Sequence, residues 1–412
     1  MAKQQLKRTL NFWDVIMFGV GGIVGAGIYA IIGQAAAISG NMLWLSFTIA
    51  ALVALLTGLS YAEFVSRFPD AGGSYEYIKK GIGERTALFL SIFMAFTGIV
   101  SVAAIAISFA EYLNRLWQIP SWLAVIGIII LMALFNIIGS KYSSNYNKIA
   151  TIITLLGLGL VVGFCIPDWK IEPLLEFDDS GIVSILAGAA LVFYSYIGFE
   201  DLVKLAEETK NAKKVMPKAV LISGVVVLII YLLITVSALS TLGAEGLSQE
   251  DGPLAAVIKA QWNPIGGTIL VIVALFATSK TMLSNILGTS RLLYDVARDS
   301  EISWLKSFTI LEGLGKGSPH YAIIVTAIIA IGFGLIGDLK IVASISNVFI
   351  FTVFGMVNIA LLRFRMRHKG EDNVYFKIPL NIKNIPVLTI FALITIIILF
   401  GFNIYNLVQG YA

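Results

Sequence analysis

The chain has 412 residues, of which 58% are hydrophobic and 13% charged, with a formal net charge of +4 at neutral pH and a mean hydropathy of +0.88. Such apolarity excludes a soluble globular protein, and the small excess of Lys and Arg lies in the connections between apolar runs rather than in a nucleic-acid-binding face. A single cysteine, Cys165, excludes a disulfide framework and a thiolate metal site, and two histidines at predicted span ends, His320 and His368, support no histidine metal cluster.

Apolar runs of about 20 residues, each enough to cross a hydrocarbon core of about 30 Å, predict eleven spans. They fall at about 12–37, 42–66, 86–114, 121–139, 146–166, 182–206, 217–242, 265–292, 319–337, 341–362 and 385–407. The first follows Lys3, Lys7 and Arg8 without a small-residue cleavage site, which reads as an uncleaved span. With the N-terminus inside, twenty-three of the 29 basic residues fall on inner connections and only Arg115, Lys170, Lys259 and Lys340 on outer ones. That asymmetry predicts a cytoplasmic N-terminus and, for an odd number of crossings, a C-terminus outside the plasma membrane. The outer connections are acidic, as at Asp168 to Asp179 and Glu245 to Asp251, while the inner runs Lys210 to Lys218 and Arg363 to Lys369 face water or anionic membrane lipid. No stretch remains for a soluble domain, so residues 1–412 are expected to form one all-α membrane domain.

Within the first span, Gly19-Val-Gly-Gly-Ile-Val-Gly-Ala-Gly-Ile-Tyr29 holds five glycines in eleven residues. Each costs roughly 1 kcal/mol against alanine in a helix interior, and backbone opened in hydrocarbon has no water to bond. Gly25-Ala-Gly27-Ile-Tyr-Ala30 fits the permissive dinucleotide fingerprint, but no strand precedes it and no soluble sheet exists to hold it. Gly21 and Gly25 also form a small-xxx-small pair of the kind that packs helices closely. Five crossings per half would make an inverted repeat, about 12–166 and 182–362, with 385–407 as one extra C-terminal helix. Span 6 then mirrors span 1, and its middle, Phe193-Tyr-Ser-Tyr-Ile-Gly-Phe-Glu200, again sets a glycine among polar and aromatic residues. Two interrupted helices point to a substrate site at mid-membrane.

Four motifs in order carry a resemblance. Gly19 to Tyr29 resembles the span 1 motif of amino acid–polyamine–organocation permeases. Phe193 to Glu200, followed by Ala206-Glu-Glu-Thr-Lys-Asn211 and Pro217, is similar to their span 6 and its inner loop. Phe68-Pro-Asp-Ala-Gly-Gly-Ser74 is similar to their loop after span 2, and Ser290-Arg-Leu-Leu-Tyr294 with Ala297-Arg-Asp299 to the end of their span 8. The resemblance covers about 1–300, and the chain departs from the common twelve spans by ending one span early.

It implies a leucine-transporter-like fold, alternating access and an amino acid substrate, without cofactor; polyamine substrates and exchange occur in the family too. On that basis the N–H groups of Val24, Gly25, Ala26 and Gly27 are expected at the substrate carboxylate. The carbonyls of Ile23, Tyr194, Ser195 and Ile197 are expected at its ammonium. Phe193, Tyr196 and Phe199 are expected around its side chain, and no acid stands out there, which favours a neutral amino acid. A membrane amino acid sensor or a channel would use the same broken helices, and no nucleophile–base pair is readable that would suit an enzyme.

Lys280 is the outlier among charges, about 15 residues from either end of span 8 and too deep to snorkel easily. Thr278 and Ser279 resemble the hydroxyl pair that holds sodium in sodium-coupled relatives of this fold. Some proton-coupled relatives put a span 5 lysine in that place, where this chain carries Thr154. Lys280 is therefore expected near the same position from a different helix, exchanging a coupling proton or serving as a fixed counter-ion. Glu200, beside the span 6 break, is the second coupling candidate, with capping of the inner half of span 6 as its plainer role.

Overall fold

The computed structural model describes residues 8–69, 73–138, 140–170, 172–175, 181–299, 308, 319–368 and 374–410. Helices run in the order α1 (Phe12–Ile23), α2 (Ala26–Ser39), α3 (Leu43–Arg67), α4 (Ser74–Gly81), α5 (Glu84–Asn114), α6 (Ser121–Ile138), α7 (Ser140–Cys165) and α8 (Gly181–Val192). The second half continues with α9 (Phe199–Leu202), α10 (Ala212–Ser248), α11 (Pro253–Gln261), α12 (Pro264–Asp299), α13 (His320–Gly334), α14 (Leu339–Arg367) and α15 (Val387–Gly410). Among the described residues nine helical stretches are long and apolar enough to cross a membrane, one of them the joined run Ala26–Arg67, and Phe12–Ile23 and His320–Gly334 are shorter apolar helices. Each of the eleven expected segments therefore has a helical counterpart, two of them broken: span 1 is α1 and α2, and span 6 is α8 and α9. The connection at about 293–318 and the Asp70-Ala-Gly72 part of the span 2 loop motif lie largely outside the described residues.

Local chemistry explains the helix ends that position the site. Asn11 caps α1, its Oδ1 accepting from Trp13 and Asp14 N–H at 3.0 and 3.2 Å while Asp14 accepts from Asn11 N–H at 2.9 Å, a reciprocal capping box. Just before it, Thr9 and Leu10 N–H both donate to the Glu208 carbonyl at 2.9 and 3.0 Å, and Lys210 N–H donates back to Leu10 at 2.9 Å. This parallel bridge straps the start of span 1 to the segment that follows span 6.

The packing partners fall into matched sets. Helix α3 lies along α10, and α5 along α12; α3 meets α8 while α10 meets α1; α5 meets α14 while α7 meets α12. The two short helices follow suit, α4 resting on α5 and α14, and α11 on α12 and α7. Outward faces stay apolar, as at Ile149, Ile152 and Leu156 of α7 and Ile394 and Ile397 of α15, a surface made for lipid rather than water.

Helix α15 is held by buried amides rather than by apolar contact alone. Asn403 Nδ2 donates to the Ser344 carbonyl of α14 and Asn406 Nδ2 to the Ala187 carbonyl of α8, each at 2.8 Å. At the end of the bundle where basic residues gather, Arg365 is 1% exposed and Glu63 fully buried. Arg365 Nε donates to Glu63 Oε1 at 2.8 Å, its Nη2 reaches Glu63 Oε2, and its Nη1 reaches Asn381 Oδ1. Arg67 Nη2 and the Ile378 N–H complete the carboxylate at 2.8 and 3.0 Å. A hairpin, β1 (Asn381–Ile382) and β2 (Ile385–Pro386), turns through Lys383 and Asn384 at φ 54° and 97°, the paired positive angles of a primed two-residue turn. Asn384 Nδ2 pins that turn to the Arg365 carbonyl at 2.6 Å.

Removing one member of a buried ion pair strands the other, at a cost of about 3 to 5 kcal/mol. Arg365→Met is therefore expected to lower the thermal midpoint in detergent strongly, and Glu63→Gln added to it to recover part of the loss; a double-mutant cycle of unfolding midpoints measures both.

Candidate substrate and coupling site

Span 1 opens between Ile23 and Ala26. The Val24 N–H makes the last helical bond of α1, to the Val20 carbonyl at 2.7 Å, and Gly25 then turns the chain into α2. Span 6 opens from Phe193 to Gly198: one turn of 3-10 helix, an extended Ile197, and Gly198 at φ 126°, which needs glycine. The two openings face one another. A Cβ added to Gly27 would lie 2.6 Å from the Ser195 Cα, and one on Gly198 3.3 Å from the Gly22 carbonyl.

Side chains from the surrounding helices take up the freed backbone groups. Lys280 Nζ, on a residue 2% exposed, donates to the carbonyls of Gly21 and Val24 at 2.8 and 3.1 Å and to Thr151 Oγ1 of α7 at 3.2 Å. The ammonium thus sits at the C-terminal, electronegative end of α1, with all three donors placed. Thr281, the next residue of α12, accepts from Ala26 N–H at 3.1 Å. Tyr231 of α10 points its hydroxyl at the carbonyls of Ile23 and Ser195, at 3.1 and 2.9 Å. Asn347 of α14 donates to the Ala190 and Leu191 carbonyls at the end of α8, at 2.8 and 3.3 Å.

Several expected roles are changed by this arrangement. Of the four N–H groups expected at a carboxylate, that of Val24 is spent inside α1 and that of Ala26 on Thr281. Gly25 and Gly27 keep theirs at the head of α2, where helix geometry supplies no acceptor and the N-cap residue, Gly25, has no side chain to offer one. Among the carbonyls, those of Ile23 and Ser195 share the single phenolic hydrogen of Tyr231, and that of Tyr194 accepts from Ile197 N–H at 3.3 Å. Among the described hydrogen bonds, neither the Thr278 nor the Ser279 hydroxyl reaches span 1. The Thr278 hydroxyl bonds the Ala274 carbonyl at 2.8 Å, and that of Ser279 meets Tyr146 at 2.6 Å. On α7 the residue at the ammonium is Thr151; the Thr154 hydroxyl bonds its own helix at Ala150, 2.7 Å away. Glu200 accepts from Gly198 N–H at 2.8 Å and so caps α9.

The aromatic residues of span 6 close the opening. Phe193 packs on Phe351 with ring centroids 4.5 Å apart, and Phe199 on Phe354 at 5.0 Å. The Tyr194 and Tyr196 hydroxyls reach the carbonyls of Ser101 and Phe47 at 3.1 and 3.0 Å. A cleft beside the opening is lined by Ile23, Ala51, Ala54, Gly58, Tyr196 and Phe199, with no charged side chain in its wall. The Ser195 hydroxyl is fully buried and has no partner.

Tyr231, Thr281, Thr151 and Asn347 were not singled out from the sequence. The one signal available was a tyrosine or an asparagine standing alone in an apolar span.

Two interrupted helices facing each other within a bundle of long apolar helices are the arrangement expected of a multi-pass membrane transport protein. Comparison of the whole sequence agrees. The amino acid permease family matches residues 10–410, and the chain belongs to that family. It is 28% identical over 390 residues to cationic amino acid transporter 1 of Arabidopsis thaliana, covering 90% of this chain and 64% of that protein's length. It is 27% identical over 427 residues to the branched-chain amino acid permease of Bacillus subtilis, covering 97% and 89%. The methylthioribose transporter of Bacillus subtilis is 26% identical over 415 residues, covering 94% and 87%.

At Gly27 the neighbour is backbone, which cannot swing aside. Gly27→Ala is expected to fold with reduced stability and to lose amino acid binding by at least about tenfold, read by ligand-induced thermal shift; a shift equal to wild type would show that the two openings need not approach so closely.

Proposed function

We propose that the chain takes up neutral amino acids across the cell membrane as a secondary active transporter, with a proton as the coupling ion and alternating access as the mechanism. The observation that carries the coupling is the Lys280 ammonium lodged between the Gly21 and Val24 carbonyls, where it ties α12 to the inner half of span 1. A lysine there supplies the charge that a bound cation would, and it can give up and regain a proton while remaining attached to the chain. Among the described residues no carboxylate pairs with it, which favours exchange over a fixed ion pair.

Recognition of the substrate's ends rests on the lips of the two openings. Gly25 and Gly27 N–H with the Ser195 hydroxyl suit a carboxylate, and the carbonyls of Ile23, Tyr194, Ser195 and Ile197 suit an ammonium. Relatives named for cationic and for branched-chain amino acids leave the side chain open. The aromatic walls, the uncharged cleft and the use of Glu200 as a cap support a neutral one. The matched packing supports an inverted five-plus-five repeat of the leucine-transporter type: exchanging span 1 with 6, 2 with 7, 3 with 8, 4 with 9 and 5 with 10 carries α3 on α10 and α5 on α12 onto themselves, α3 on α8 onto α10 on α1, and α5 on α14 onto α12 on α7. The gathering of Lys and Arg at one end supports a cytoplasmic N-terminus and an external C-terminus.

Reconstituted into proteoliposomes, the protein is expected to accumulate a neutral amino acid under an imposed inward proton gradient and not under a sodium gradient. Lys280→Met is expected to lose the response to the proton gradient while counterflow of labelled substrate persists. Sodium-driven accumulation, or a Lys280→Met variant that still concentrates substrate with the proton gradient, would overturn the coupling. Binding without flux would point to a sensor.

A further inference from the structure

We propose that Thr281 is the positioning residue of the carboxylate subsite: it fixes the first turn of α2 so that the N–H groups of Gly25 and Gly27 and the hydroxyl of Ser195 converge on one anionic group. This rests on the amino acid reading above and assigns its carboxylate end to a side chain outside both broken helices.

The Thr281 hydroxyl hydrogen is committed to the Ala277 carbonyl at 2.8 Å. What the oxygen turns toward span 1 is therefore a lone pair, and it accepts from Ala26 N–H at 3.1 Å. An N-cap normally supplies such an oxygen from its own side chain, but position 25 is glycine and has none. A Cβ there would collide with the Thr281 hydroxyl, so the threonine occupies the space that a capping side chain would need. Thr281 is thus a cap contributed by another helix.

Lys280 holds the carbonyl end of α1 and Thr281 the N–H end of α2, so adjacent residues of one rigid helix set the width of the gap. Because Ala26 N–H is taken, the neighbouring N–H groups are left to a ligand. The independent sign of a ligand is Ser195, whose wholly buried hydroxyl has no partner; its Oγ would lie 3.2 Å from a Cβ on Gly27. Two N–H groups at the head of α2 and one O–H on span 6 packed against it, without acceptors among the described residues, suit a carboxylate.

The test compares Thr281→Val, which keeps the shape and removes the acceptor, with Thr281→Ser, which keeps the acceptor. Binding is titrated on purified protein, and KM and maximal rate are measured in proteoliposomes. Thr281→Val is expected to weaken amino acid binding and raise KM by about tenfold, the loss of one well-placed polar contact, with maximal rate within about twofold of wild type. Thr281→Ser is expected to behave as wild type. The amine that lacks the carboxylate, used as a competitor, is expected to inhibit both equally.

Gly25→Ala displaces the same hydroxyl and should give the same rise in KM. Adding Thr281→Ala should restore its thermal stability but not its KM. Equal amino acid affinity in Thr281→Val and wild type would overturn the proposal, as would equal loss of amine and amino acid, which marks a merely structural role. A wild-type protein that binds no amino acid would overturn the amino acid reading and the subsite together, whereas wild-type binding with an unaffected Thr281→Val overturns the subsite alone.

Discussion

Backbone groups opened inside a hydrocarbon layer have no water to return to, and each one left unpaired costs several kcal/mol. This protein opens two of its spans at mid-depth and covers the exposed groups with side chains from α10, α12 and α14. Lys280 and Thr281 take opposite ends of the span 1 opening, Tyr231 bridges both openings, and Asn347 covers the end of α8. The covering set leaves the head of α2 beside Ser195 open. The order in which the outer helices pack is thus tied to the polar groups they must deliver.

The same constraint divides the molecule's basic end into two fastened groups. The strap from Thr9 and Leu10 to Glu208 joins the inner halves of both broken spans, so α1 and the segment after α9 are bound by backbone hydrogen bonds that no side-chain change removes. A few residues away, Glu63 and Arg365 fasten α3, α14 and the 381–386 hairpin. Span 8 reaches α1 through hydrogen bonds from Lys280. On the proton-coupled reading, loss of one proton weakens this link between α12 and α1, and a small change in energy is enough to shift a balance between two conformations.

The spans, their broken members and the unusual depth of Lys280 were legible in the sequence because hydropathy, glycine content and charge placement are local properties. What could not be read was which turn of each helix meets the opening. Thr278 and Ser279 suggested themselves as a hydroxyl pair, yet on α12 it is Thr281, one turn beyond Thr278, whose oxygen meets span 1. The choice between Thr151 and Thr154, which share a face of α7 one turn apart, was one of position along the helix, set by packing rather than by composition. Arg365 illustrates another limit. In sequence it belongs to a basic run at a span end, and only the tertiary fold shows a buried guanidinium closing on Glu63, some 300 residues earlier in the chain.

The relatives named for cationic and for branched-chain amino acids are named for substrates whose ends are alike and whose side chains differ in charge and shape. A frame made of main-chain N–H and C=O groups can be kept through such changes, because it depends on glycine at the close approaches and on capping from neighbouring helices. The walls are free to differ, since the rings of Phe193 and Phe199 meet their neighbours by packing alone. The energetic demand of the broken helices is met elsewhere, by residues such as Tyr231 and Thr281 that a change of substrate would leave in place.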